Sequence, residues 1–447
     1  MKKSKFRKII LFTLVLHFAF LILLSSSHAL NVKKTVFENG LTLLTVERHH
    51  LPVVMVTVGI NAGTLVEPEE KAGLSNLTAE MLTEGTKNRT SAQISEEIEF
   101  VGASLDSSGG ADYITVTLSV LKKDIELGFS ILSDIIMNPN FPETELNRKK
   151  TFIKGSIKAQ EEEPRAVASK AFRKAIFGKH PYGRPVEGTA ESLDALTRKD
   201  VVSFHSRYYV PNNSIMAVVG DISSDEVKSL IAKYFNQWKP QKLDLPLPHP
   251  PESLKERKVI KINRDLAQAN IIMGHPGIKR DNPDFYAVSV ANYILGGGGF
   301  ASRLMQNIRD EKGLTYDVRS FFTTSKEKGA FQVRVHTKNE SANAVVAEIL
   351  KEIKRIREEL ISDTELQDAK AFLTGSFPLR LDTSWKIANF LVAVEYYGLG
   401  MDYIDKYKDY INAVTKEDVL RVAKKYLDPE KFALVIVANQ EKASLKY

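Results

Sequence analysis

Apolar and polar positions change period along this chain, and each change marks an element. VFENGLTLLTVE sets an Asn39-Gly40 turn between two extended runs, the pattern of a β-hairpin. VVMVTVGINAG, from Val53, and YITVTLSVL, from Tyr113, continue as strands. Between them, AGLSNLTAEMLTEGT carries Leu74, Leu77 and Met81 at helical spacing. DVVSFHSRYYVPNNSIMAVVGDIS, from Asp200, reads as a helix, a proline-marked turn and a buried strand. Hairpins mixed with packed helices predict an α+β fold of antiparallel sheets, not a doubly wound parallel one.

The pattern repeats. TELNRKKTFIKGS from Thr144 returns as TELQDAKAFLTGS from Thr364, with Lys150/Lys370 and Phe152/Phe372 matched. TRKDVVSFHSRYYVP from Thr197 returns as TKEDVLRVAKKYLDP from Thr415, with Asp200/Asp418, Val201/Val419, Tyr208/Tyr426 and Pro211/Pro429 matched. The offsets, 220 (364 − 144) and 218 (415 − 197), are nearly equal. Two ordered blocks at one offset predict a duplicated domain. Pro246, Pro248, Pro250 and Pro251 stiffen the segment between the copies and forbid helix. The predicted domains are therefore residues 30–239 and 259–447, joined by a linker at 240–258.

The first residues place Lys2, Lys3, Lys5, Arg7 and Lys8 before an apolar run from Ile9 to Leu24 and the small residues Ser27 and Ala29. That order predicts a secretory signal peptide over residues 1–29, cleaved near Ala29, and so an exported chain, periplasmic or secreted. An uncleaved anchor is the alternative, although the run is short for a span of about 17–25 residues. Five of the seven net positive charges leave with the signal, and the mature chain is near +2 (7 − 5). No basic stripe tracks phosphates, so no nucleic-acid partner is expected. Cysteine is absent, which excludes disulfides and thiolate metal sites.

Three segments carry a family resemblance: AGLSNLTAEMLTEGT, HPYGRPVEGT from His180 to Thr189, and YILGGGGFASRLMQNIRDEKGLTYDV from Tyr293 to Val318. In order, along nearly the whole mature chain, they resemble the pitrilysin/insulinase metallopeptidases, with the mitochondrial processing peptidase branch most similar. The resemblance implies two homologous halves around a cavity. It also implies a zinc site built from His-x-x-Glu-His on one helix and a downstream Glu. Histidines one turn apart reach a single ion, and the Glu between them takes a proton from metal-bound water.

Laid on this sequence, the first histidine falls on Asn76, the base on Ala79, the second histidine on Glu80 and the third ligand on Ser156. All four have changed, and a methyl group at Ala79 accepts no proton. The histidines alone say the same. They are His17, His28, His49, His50, His180, His205, His249, His275 and His336, and no two lie three to five apart. The oxygens of Asn76 and Glu80 suit a weak hard cation, but the plainer reading is two polar residues on a helix. No cofactor is expected in this chain.

Arg309 and Tyr316, within NIRDEKGLTY, match the family's Arg/Tyr pair, which the resemblance implies holds substrate backbone and steadies charge on the scissile carbonyl. On spacing alone the two are solvated surface. Gly296 to Gly299 lack a following GK[ST], so a tight turn before a helix ASRLMQNIRDEKG is expected rather than a phosphate cradle. The resulting expectation is a non-catalytic subunit of a heterodimeric zinc peptidase. A zinc-bearing sister chain would be its partner, and a peptide or unfolded protein the substrate. The alternative is a peptide-binding scaffold without proteolysis. Nothing supports a different enzyme class.

Overall fold

The Asn39-Gly40 hairpin is present in the computed structural model of the protein, which describes residues 30–246 and 249–447. The expected signal segment lies outside these residues. Strands β1 (Lys33–Val36) and β2 (Thr42–Glu47) pair antiparallel, with Lys33 opposite Thr45. Gly40 turns at φ 85°, and a Cβ there would meet the Asn212 Cβ at 2.5 Å. β3 (Val53–Ile60), β4 (Ser104–Ser108), β5 (Ile114–Leu121) and β6 (Ser214–Gly220) complete a six-stranded sheet in the order β1-β2-β6-β3-β5-β4.

The second half repeats the plan. β7 (Lys258–Asn263), β8 (Gln268–Pro276), β9 (Thr315–Phe322), β10 (Ala330–Lys338) and β11 (Ala433–Ala438) lie in the order β7-β11-β8-β10-β9. Without β1, the two orders correspond strand for strand. The fold is α+β, with two domains of sheet and packed helices. Each sheet is mixed rather than purely antiparallel, because β2 runs parallel to β6 and β7 runs parallel to β11. These are the strands that return from the far end of each half after several helices. A long crossover permits a parallel pair where a hairpin cannot.

The repeated sequence blocks occupy matching helices. TELNRKKTFIKGS lies in the helix Glu143–Glu162 and TELQDAKAFLTGS in Asp363–Ser376. The helices Arg198–Tyr208 and Lys416–Tyr426 both open on a capping box, Thr197 with Asp200 and Thr415 with Asp418. Each buries the valine that follows the box, Val201 and Val419. Gly102 at φ 63° and Gly313 at φ 62° turn the chain into the matching edge strands β4 and β9.

The halves exchange helices. Pro164–Phe177, from the first half, packs on β8 and β11 of the second sheet, burying Ala168, Phe172 and Ile176 among Ile272, Val435 and Val437. Ser384–Tyr396, from the second half, packs on β3 and β6 of the first sheet. Gly59 on β3 makes room for it, since a Cβ there would stand 2.4 Å from the Val392 Cγ1. Burying a large apolar side chain contributes about 1.5–3 kcal/mol, so the exchanged helices hold the two halves together.

A polar knot sits at the same seam. The buried carboxylate of Asp112 accepts hydrogen bonds from the Tyr182 hydroxyl, the Tyr397 hydroxyl at 2.7 Å and the Lys326 amide at 3.1 Å. The Tyr396 hydroxyl donates to the Asp112 carbonyl at 3.1 Å, and the Glu327 amide donates to the Tyr182 hydroxyl at 3.1 Å. Burial, with the Asp112 charge beside them, pushes the Tyr182 and Tyr397 phenols well above their ordinary range. They stay protonated and keep donating.

Candidate functional site

The helix Leu74–Glu80 holds three of the four positions matched to the zinc site. It starts at Gly73, φ 91°, where a Cβ would meet the Glu187 carbonyl oxygen at 2.6 Å. Its first amides are capped by Glu67, whose Oε1 accepts from Gly73 N at 3.2 Å and Oε2 from Ser75 N at 3.1 Å. Burial raises the Glu67 carboxyl to about 7, against the pull of those amides and the Arg184 charge. Ser75 Oγ donates to the Ala62 carbonyl at 2.5 Å, tying the helix to the end of β3.

Asn76 is 6% exposed and fully engaged. Its Nδ2 donates to Glu80 Oε1 at 2.8 Å, and its Oδ1 accepts from Gly109 N at 3.1 Å. A Cβ on Gly109 would come within 2.6 Å of the Asn76 Cα, so this close approach requires glycine. Ala79 is wholly buried beside Leu77 in the first-half core. Glu80 faces a cation: Lys149 Nζ stands 3.8 Å from its Oε2 and 2.8 Å from Glu84 Oε1. Burial pushes the Glu84 carboxyl up, but Lys149 and Arg148 outweigh it and hold the group below its usual range. Ser156 is exposed on the Glu143–Glu162 helix, which packs against the Leu74–Glu80 helix.

These residues do not fit a zinc ion. Asn76 and Glu80 spend their polar atoms on each other and on Gly109, Ala79 has no base to offer, and an ammonium group sits beside Glu80. Among the described residues no three His, Cys, Asp or Glu side chains gather as metal ligands.

Arg309 and Tyr316 lie in the second half, on either side of the Gly313 turn. Gly299–Ala301 forms one turn of 3-10 helix, and Met305–Glu311 is π-helical instead of the regular α-helix expected after the glycines. Gly296 and Gly297 end a π-helical segment, Tyr293–Gly297, in place of the tight turn expected over all four glycines, and only Gly298 turns before Gly299–Ala301; a Cβ on Gly297 or Gly298 would strike Asn292 or Tyr293. Arg309 sits in the π-helical segment, where its NH1 donates to Asp310 Oδ1 at 2.7 Å and its guanidinium lies 4.8 Å from the centre of the Phe300 ring. Tyr316 is 86% exposed. It belongs to a β-bulge, because Thr315 pairs with Thr337 and Val318 with Val335, leaving Tyr316 and Asp317 opposite His336 alone. Bulges re-aim side chains out of the regular alternation. Arg309 therefore bonds its sequence neighbour, while the Tyr316 ring stands in solvent.

A cavity of about 1280 Å³ lies elsewhere, between the proline-rich segment, the His180 loop and the helix Arg198–Tyr208. Glu67 and Leu74 line it, but none of the six motif-matched residues does. Sequence reasoning did not single out Asp112, Glu67 or Lys149. Each is one acid or base in an unremarkable local context, and each takes its role from partners 6 to 285 residues away.

Comparison with known proteins agrees with this fold. The model "Insulinase (Peptidase family M16)" matches residues 42–190, and "Peptidase M16 inactive domain" matches residues 195–373. A Rickettsia felis protein named "Uncharacterized zinc protease" is 27% identical over 350 residues, covering 77% of this chain and 82% of its own. A Bacillus subtilis protein named "Uncharacterized zinc protease YmxG" is 25% identical over 353 residues, covering 79% and 85%. A Pseudomonas fluorescens structure described as a peptidase M16 inactive domain superposes with TM-score 0.85 at 28% identity, covering 92% of this chain and 98% of that one. A Helicobacter pylori protease shares the fold, with TM-score 0.85 at 20% identity. The duplicated sheets, the signature around Arg309 and Tyr316 and these matches make the chain a member of the pitrilysin/insulinase family, peptidase family M16.

Proposed function

We propose that this chain is the non-catalytic member of a two-chain zinc peptidase of its family, exported from the cell and acting on peptides or unfolded proteins. A sister chain holds the zinc, and this chain contributes Arg309 and Tyr316. One observation carries the reading: the motif positions on the Leu74–Glu80 helix and Tyr316 have met opposite fates. Asn76, Ala79 and Glu80 are buried or bonded into the fold, while Tyr316 projects from a bulge with its phenol free to meet a ligand. Structural stability alone does not call for an 86% exposed tyrosine. The names of the relatives, uncharacterized zinc proteases, supply the peptidase context.

The chemistry follows from donor geometry. A guanidinium offers planar, permanently charged N–H groups, and a phenol adds one directional O–H. Aimed at a carbonyl under attack, they stabilise the oxyanion as it forms. Arg309 needs only to exchange its Asp310 contact, an exposed pair worth about 0–1 kcal/mol, for substrate.

The test is reconstitution. The mature chain is mixed with the zinc-bearing family member of the same cell, and peptide turnover is measured for each chain alone and for the pair. Turnover only in the pair supports the reading. Peptide binding without turnover in any mixture leaves the scaffold reading in its place. That second reading draws on Arg309, whose polar contact goes to Asp310 and not toward Tyr316.

A further inference from the structure

We propose that a cleft walled by Arg165, Arg319 and Arg334 binds a carboxylate of the peptide, on an acidic side chain or at its C-terminus. This rests on the peptide-binding part of the reading above and names its substrate class. The cleft holds about 240 Å³, room for more than one water at roughly 30 Å³ each. It lies between the exchanged helix Pro164–Phe177 and the face of the second sheet opposite that half's own helices. Arg165 comes from the helix, Arg319 from β9, and Arg334 and His336 from β10. β9 also carries Tyr316, so a peptide lying along this strand reaches both.

The charge balance is one-sided. Three guanidiniums face one carboxylate, Asp317, which already bonds Arg319 Nε at 2.8 Å, and the sum is +2 (3 − 1). Among the described residues neither Arg165 nor Arg334 has an acidic partner. Arg334 Nε donates only to the Gln332 side-chain oxygen, at 3.2 Å. Arg334 is exposed overall, and partial desolvation without a counter-charge pulls its pKa below the ordinary guanidinium value. It pulls His336 down too, with Arg165 adding to the effect and Asp317 opposing it, so the imidazole is neutral and the arginines are the cations.

A structural cluster of arginines would be paired off. Here Arg319 Nε goes to Asp317 and Arg334 Nε to Gln332, while the terminal guanidinium N–H groups of the three arginines donate to no other described residue and can take a carboxylate bidentately. Asn270 adds a second, independent feature. It is 91% buried (100 − 9), lines the cleft, and its side-chain amide hydrogen-bonds to no other described residue. That amide matches a peptide group, and the Phe321 ring and Ile272 offer apolar wall for the neighbouring side chain.

Isothermal titration of the full mature chain tests this. It uses three forms of one short, otherwise neutral peptide: Glu-containing with an amidated end, Gln-containing with a free carboxyl end, and Gln-containing with an amidated end. The carboxylate-bearing forms should bind roughly ten-fold tighter than the fully neutral one, as a charge-assisted hydrogen bond provides. The advantage should shrink with added salt. Arg334→Gln and, separately, the exposed Arg165→Gln should abolish the advantage, bringing the carboxylate-bearing forms to the affinity of the neutral one, with thermal melts checking folding. Preference for the Glu form identifies a side-chain carboxylate, and preference for the free-end form identifies a C-terminus. Equal affinity of all three forms overturns the carboxylate site and leaves peptide binding standing. Absence of binding by any form overturns both.

Discussion

Asn76 Nδ2 donates to Glu80 Oε1 across 2.8 Å, so the two residues at the family's histidine positions hold each other instead of an ion. The bond spans one helical turn, the same i, i+4 spacing that lets two histidines reach one metal. The helix has kept its geometry and changed its chemistry.

The purified mature chain is therefore expected to carry far less than one zinc per molecule by elemental analysis. Finding a full, tightly held equivalent would contradict the account of Asn76, Ala79, Glu80 and Ser156. The variant Asn76→His/Ala79→Glu/Glu80→His should bind zinc poorly while Ser156 remains. Adding Ser156→Glu should tighten binding, and Lys149→Ala should tighten it again by removing the cation 3.8 Å from position 80. Competition with a chelator of known affinity ranks the series.

In a reconstituted pair, Arg309→Ala and Tyr316→Phe should each lower kcat by roughly ten-fold or more without loss of pairing, as deleting a transition-state donor commonly does. Arg309→Lys should rescue poorly, because one ammonium cannot copy a planar fork. Unchanged kcat and KM in both single variants would leave the pair as solvated surface.

Asp112 should be the most sensitive position at the seam between the halves. Asp112→Ala strands the buried Tyr182 phenol, the half-buried Tyr397 phenol and the Lys326 amide, and is expected to cost about 3 kcal/mol or more. Tyr397→Phe removes one hydrogen bond to a charged acceptor and should cost about 1.5–3 kcal/mol. Denaturant unfolding measures both, and a loss under about 0.5 kcal/mol for Asp112→Ala would show that the seam relies on apolar packing alone.

Glu67 gives the fold a pH dependence of definite sign. Its carboxyl is raised to about 7 from an unfolded value of 4.5, so the folded state holds the proton more tightly. The resulting stabilisation is complete below pH 4.5 and is lost as pH rises to about 7. Over that window stability falls by up to roughly 3 kcal/mol relative to Glu67→Gln, which does not ionise. Melting wild type and Glu67→Gln side by side from pH 4.5 to 8 should show wild type losing ground. Parallel curves would mean that the Gly73 and Ser75 amides keep the carboxylate ionised throughout.

The sequence by itself determined the elements, the duplication and the identity of the six motif positions. Hydrophobic period, turn glycines and capping residues are local signals, and the blocks at Thr144/Thr364 and Thr197/Thr415 repeat within one chain. It also determined that no single helix could present a histidine pair to zinc, because ligand spacing on one helix is a property of neighbours in sequence. Tertiary structure decided the rest. The parallel pairs β2·β6 and β7·β11, the exchange of the helices Pro164–Phe177 and Ser384–Tyr396, and the convergence of Tyr182, Lys326 and Tyr397 on Asp112 all join distant parts of the chain. So does the carboxylate cleft, whose three arginines come from two halves. An isolated arginine or aspartate has the same local signature whether it faces water, a salt-bridge partner or an empty cleft. Its partner is chosen by packing, and packing is where one side chain acquires a function that its neighbours in sequence do not announce.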